Sequence, residues 1–172
     1  MKLGSAFLLL LALVSASAEQ GVEALYQAPA AFLQEVFAGD VPPPERLWIK
    51  PELRAAIREV LGHELGRLRV RYWQRGERTV WILEDIGKEQ LITTGLVVDG
   101  AQLADVRVLI YRESRGWEVK YPAFTDQFRG ARLTAERQLD RGIDGISGAT
   151  LSVHTLTRLA RLALLLDQHV AS

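Results

Sequence analysis

The residues best suited to chemistry lie near the end of the chain, in Asp144-Gly145-Ile146-Ser147-Gly148-Ala149-Thr150-Leu151-Ser152. Gly145 and Gly148 have no Cβ, so they can take positive φ and let a bulky group approach the backbone. Ala149 keeps that approach narrow, and Ser147, Thr150 and Ser152 supply hydroxyls. A leucine-rich segment comes immediately afterwards, so the loop is expected to open a helix. The free N–H groups and positive dipole end of a helix start favour a phosphate. Residue chemistry leaves two readings open. One is a phosphate-accepting turn with a presentable hydroxyl; the other is an ordinary cap in which Ser147 or Thr150 closes the helix start.

Other routes to chemistry are closed or thin. The chain has no cysteine, which excludes disulfides, thiolate metal sites, iron–sulfur clusters and thioether-attached haem. His63 has no second ligand near it in sequence and reads as a helix-end residue rather than a metal ligand. No nucleophile–base constellation stands out. Lys plus Arg and Asp plus Glu both number 21, a balance that argues against a non-specific nucleic-acid binder. Any redox role must therefore rest on a cofactor held without sulfur.

The elements that must position the motif can be read in order. Met1-Lys2, the apolar run Ala6 to Val14 and Ser15-Ala16-Ser17-Ala18 make a secretory signal peptide over 1–18, with an uncleaved anchor as the alternative. The expected location is the periplasm. Residues 19–66 read as a small helical lead-in: apolar positions from Val22 to Val36 split by Pro29, a stiff Val41-Pro42-Pro43-Pro44 linker, then a helix opened by Pro51 and closed by Gly62.

From Leu68 the period becomes two, with Arg67, Arg69 and Arg71 alternating with Leu68, Val70 and Tyr72. Arg75-Gly76-Glu77-Arg78 predicts a hairpin turn and Asp99-Gly100 another. Strands over 79–83, 91–98 and 103–111 complete an antiparallel meander. The apolar stripe Leu156, Leu159, Ala160, Ala163, Leu164 and Leu166 predicts a C-terminal helix covering it. The expected class is α+β, with 67–172 as the main domain. A short strand is expected over 138–143, and an aromatic-rich helix over the stretch from Pro122 to Gly130. Arg67, Arg69, Arg71, Arg75 and Arg78 form a basic stripe, either a solvated edge or a docking site for an acidic redox partner. His154 lies one turn past Thr150, either near a bound phosphate or simply on the surface.

Asp-Gly-x-Ser-Gly-Ala-Thr resembles the flavinylation motif of the FMN-binding domain family, which includes the covalent-flavin subunits of the sodium-pumping NADH:quinone reductase and of Rnf-type complexes. Two further stretches are similar to family features: Glu113-Ser114-Arg115-Gly116 to a glutamate- and glycine-bearing loop, and Gln127-Phe128-Arg129-Gly130 to a Gln-Phe-x-Gly run. Arg115 stands where proline is usual and Trp117 where leucine is usual. The resemblance covers roughly residues 79–168.

The resemblance implies FMN esterified through its phosphate to the hydroxyl of Thr150 by a separate flavin transferase, with Ser152 a weaker candidate acceptor. Asp144, Ser147, Gly148, Ala149, Glu113, Ser114, Arg115, Gly116 and Trp117 are the implied cofactor-binding residues. Asp144 would belong to the sequence that the transferase reads. Trp117 is either a stacking partner for the flavin ring or a buried core residue; Arg115 either stabilises reduced flavin or is solvated. The implied function is periplasmic electron transfer with a membrane-bound redox partner, in a protein that does not itself span the membrane. A non-redox exported binding or scaffold protein, and a flavin-dependent reductase with its own small substrate, are the alternatives.

Overall fold

A computed structural model describes residues 23–171, so the expected signal segment lies outside the described residues. The fold is α+β. Six antiparallel strands form one sheet in the order β1-β6-β5-β4-β3-β2. These are β1 (Ala24–Leu25), β2 (Glu45–Trp48), β3 (Arg69–Arg75), β4 (Arg78–Ile86), β5 (Leu91–Asp99) and β6 (Gln102–Tyr111). The helices are α1 (Pro29–Val36), α2 (Pro51–Leu61), the single turn α3 (Pro122–Thr125) and α4 (Thr150–Val170).

Strands β3 to β6 are the expected meander. Gly76 and Glu77 turn β3 into β4, with Arg75 opposite Arg78. Gly100 and Ala101 turn β5 into β6 at φ 59° and 61°, the left-handed pair that matches the twist of a tight hairpin. The helix α4 covers one face of the sheet, burying Leu156, Leu159, Ala160, Ala163 and Leu166. Helix α2 packs beside it through Leu53, Ile57, Val60 and Leu61. Proline at its first turn and Gly62 in the left-handed conformation at its end (φ 80°) set its limits as the sequence predicts.

The lead-in differs from a purely helical one. It supplies both edge strands: β1 pairs with β6 and β2 with β3. Neither has a pattern of its own. They are two and four residues long and exist because the meander offers them a ladder. Helix α1 is not peripheral either, since it builds a second core on the opposite face from Phe32, Leu33, Phe37, Trp73, Val80, Val97 and Leu109. The ring of Phe32 presses on Gly95, where a Cβ would come within 2.5 Å of it. Strand β5 is buried from Ile92 to Val98 because both of its faces are covered.

Two expected elements change form. Residues 138–143 make no strand; the region holds a single bridge between Leu133 and Leu139. Two backbone bonds, Thr134 N–H to the Gln138 carbonyl and Asp140 N–H to the Arg132 carbonyl, hold it together with side chains. The Asp140 carboxylate accepts from the Arg132 amide and Arg141 Nε, while Arg141 donates to the carbonyls of Arg129 and Gly130. The stretch from Pro122 to Gly130 is one α-helical turn, Pro122–Thr125, running into a tighter turn, Asp126–Phe128, rather than a single regular helix, and Gly130 leaves it in the left-handed conformation (φ 76°).

Candidate functional site

Strand β6 ends in Tyr111, which is buried, and its hydroxyl organises the loop beyond the strand. It donates to the Arg115 carbonyl at 2.5 Å, so the Ser152 hydroxyl, 2.8 Å away, donates to it in turn. Burial pushes the Tyr111 phenol above its ordinary pKa, against the lowering effect of Ser152. The loop 113–116 is thereby pressed against the start of α4. Gly116 makes this possible: at φ 83°, a Cβ there would sit 2.8 Å from Ser152 Oγ, 3.0 Å from the Tyr111 hydroxyl and 3.3 Å from Ala149 Cβ. A side chain at 116 would push the two halves of the site apart.

The loop between β4 and β5 closes a third side. Glu113 Oε1 accepts from the amides of Lys88, Glu89 and Gln90 at 2.5, 2.7 and 2.9 Å. One carboxylate therefore fixes the loop by three charge-assisted bonds. Gly87 leaves room for it, since a Cβ there would lie 2.6 Å from the same oxygen. A fourth tie comes from the Gln-Phe-x-Gly run, where Gln127 Oε1 accepts from the Asp144 amide at 2.7 Å.

Together these loops enclose a cavity of about 590 Å³, lined among others by Lys88, Glu113, Ser114, Arg115, Gly148 and Thr150. That volume falls within the range of small-molecule sites. Thr150 is exposed and is the first residue of α4. It also lines a second cavity of about 410 Å³ on its other flank, with Gly145, His154, Arg141 and Arg161. His154 is exposed there. Burial, then the charge of Arg158, pulls the Arg161 pKa down.

The cap reading of the motif does not hold. The residue at the cap position of α4 is Ala149, and no side chain bonds the helix start. The first α4 amide with a backbone partner is that of Val153, on the Ala149 carbonyl at 3.0 Å. The amides of Thr150, Leu151 and Ser152 therefore have no hydrogen-bond partner among the described residues, a donor set suited to an anion. Gly148 takes the left-handed conformation (φ 81°) just before the helix, whereas Gly145 does not.

Of the residues singled out in sequence, Glu113, Ser114, Arg115, Gly148, Ala149, Thr150 and Ser152 come together around the larger cavity. Gly116 packs behind it. Asp144 and Ser147 are exposed on the approach to α4 and line neither cavity. Ser152 is 4 % exposed, its hydroxyl spent on Tyr111. Trp117 is 42 % exposed, so it is not a core residue. It lies outside the lining, edge-on to Tyr121 at 5.8 Å with Lys120 over its ring. Sequence reasoning missed Lys88, Glu89 and Tyr111, and no local signal marked them: Gly87-Lys88-Glu89-Gln90 reads as an ordinary polar hairpin loop.

Among the described residues no group of histidines and carboxylates could hold a metal ion. His63 instead comes directly after Gly62 and bonds Asp85 at 2.7 Å through Nε2. Its pKa is raised by the Glu64 carbonyl and, against burial, by Asp85. No helix of the described residues is long and apolar enough to cross a membrane. Compared with known proteins, the chain matches no family model, no curated protein and no solved structure.

Proposed function

We propose that this protein is an exported electron-transfer flavoprotein carrying FMN covalently, through a phosphoester at the Thr150 hydroxyl. The observation that carries the reading is the setting of Thr150: an exposed hydroxyl at the start of an uncapped helix, on the rim of a cavity that also holds Lys88 and Arg115. The unpartnered amides of Leu151 and Ser152 would hold the phosphate there, and Gly148 leaves the backbone bare on the approach. Lys88 and Arg115 supply positive charge across the cavity. Glu113 holds the Lys88 loop in place, and Gly116 and Tyr111 hold Arg115. FMN, when bound, accepts one or two electrons and so links two-electron donors to one-electron acceptors. The protein's part is attachment, orientation and electrostatic tuning.

The reading assigns maturation to an exported flavin transferase, which would find Asp144, Ser147 and Thr150 all exposed. A membrane-bound redox partner would exchange electrons with the matured protein. Ser152 is disfavoured as an acceptor because its hydroxyl is buried against Tyr111. The test is intact mass after expression with an active transferase. A flavin-sized increment that survives denaturation, is lost in Thr150→Ala and is kept in Ser152→Ala supports the reading. Wild-type protein without the increment favours a non-redox exported binding protein.

A further inference from the structure

Helix α1 covers only part of its face of the sheet, and beside it runs an open groove of about 570 Å³. The register places the groove's charges. Arg46 of β2 lies opposite Arg71 of β3, and Trp48 lies opposite Arg69. Val70 and Tyr72, between them, point into the main core, so Arg69 and Arg71 share the α1 face with Trp73. Arg67 joins them at the groove's end.

The carboxylates do not balance these cations. Glu84 is the acidic residue in the lining, and it is already shared: it accepts from Thr93 at 2.8 Å and pairs with Arg67 at 3.1 Å. Arg46 and Arg71 have no ion pair with any described residue, and Arg69 only overlies the exposed Trp48 ring. Elsewhere Arg75, Arg78, Arg107, Arg112 and Arg158 each contact a carboxylate. The basic stripe seen in sequence thus splits: Arg67, Arg75 and Arg78 are paired, whereas Arg69 and Arg71, joined in the groove by Arg46 from β2, are not. Like charges set side by side on a sheet repel one another, and a cluster held so is a standing attraction for anions.

We propose that this groove docks an acidic polypeptide segment of a partner protein. Arg46, Arg69 and Arg71 take its carboxylates, and Trp73, Ile82 and Ile110 receive its apolar side chains. Guanidinium forks match carboxylates in bidentate geometry. Arg46, Arg69 and Arg71 are exposed along the groove beside α1, and an extended segment laid in it meets both these cations and the apolar side chains next to them. The proposal is independent of the flavin reading, because none of its residues lines the Thr150 cavities.

The test is titration of the protein with a fluorescently labelled oligo-glutamate peptide of about ten residues at about 20 mM and about 200 mM salt, spanning strong and weak screening. An oligo-glutamine peptide and phosphatidylglycerol vesicles are run alongside. Binding of the glutamate peptide that weakens with salt, and at least about tenfold in the double variant Arg46→Gln/Arg71→Gln, supports the proposal. Arginine Nε–H resonances of the wild type should shift for Arg46, Arg69 and Arg71, and not for Arg132 at the far turn. This readout needs no variant to fold. Equal binding of the variant, no peptide binding at low salt, or arginine-dependent binding to vesicles tighter than to the peptide would overturn it.

Discussion

The two faces of the sheet are closed to different degrees. Under the 21-residue α4 the surface is sealed, and the polar groups trapped there are paired. Thr79 donates to Asp167 at 2.6 Å, Trp81 Nε1 donates to Thr79 at 2.9 Å, and Thr155 donates to the Ile86 carbonyl at 2.8 Å; Thr94 Oγ1 is the exception. Under the eight-residue α1 an apolar plug fills one end and unneutralised arginines line the rest. A sealed face gives α4 a fixed starting point, and the candidate site is assembled at that starting point. A half-open face leaves charge available to a partner. The same sheet thus offers one rigid surface for holding a group and one accessible surface for docking.

The largest effect that would sharpen this contrast is on the α1 side. Phe32→Ala removes the ring seated on Gly95 and is expected to cost about 3–5 kcal/mol, read as a fall in the urea midpoint. At permissive temperature, modification of Thr150 should persist. A parallel loss would mean that the two faces are coupled.

Next comes the contact between loop and helix. Gly116→Ala places a Cβ against Ser152 and Tyr111 in a left-handed backbone. It is expected to cost about 1–3 kcal/mol and, unlike Phe32→Ala, to reduce flavin incorporation in a protein that is still folded. Glu113→Gln keeps the acceptor but removes its charge, with an expected loss of about 1 kcal/mol. Its signature is local: hydrogen exchange at Lys88, Glu89 and Gln90 should accelerate while the core amides hold.

How much of this was legible in sequence depends on where each bond partner lies. The meander, two of its three hairpins, α2 and α4 were legible because period, turn glycines and the proline and glycine that bound a helix are local signals. Strands β1 and β2 were not, since Ala24–Leu25 and Glu45–Trp48 extend only because β6 and β3 pair with them. The reach of Phe32 into Gly95 was equally hidden, because the two lie in separate elements. At the site, the motif and the 113–116 loop stood out, but the grip of Glu113 on the Lys88 loop joins residues 23 to 25 apart with no pattern to announce it. The 138–143 stretch makes no strand because it meets residues 132–134 through only a single bridge, while its Asp140 and Arg141 side chains bond the backbone of Arg129, Gly130 and Arg132.

The smallest expected effect lies deep under α4. Burial raises the Asp167 carboxyl above its usual value of 3.8, against the lowering bond from Thr79. Folding therefore favours its protonated form: the associated stability is full below the unfolded pKa and is lost as pH rises through the folded one. Asp167→Asn removes the charge and can keep an acceptor for Thr79. Its melting temperature relative to wild type should be highest near about pH 8 and converge on wild type towards about pH 4. Taking the difference cancels the contribution of His63, whose raised pKa acts in the same direction.

The central claim is that the hydroxyl of residue 150 carries the flavin. Its most direct test is fragmentation mass spectrometry of the proteolytic peptide spanning Ser147 to Arg158, from protein matured with an active transferase. The account predicts an FMN phosphoester located on Thr150, with Ser147, Ser152 and Thr155 unmodified. An unmodified Thr150, or the flavin on any other residue, would contradict it.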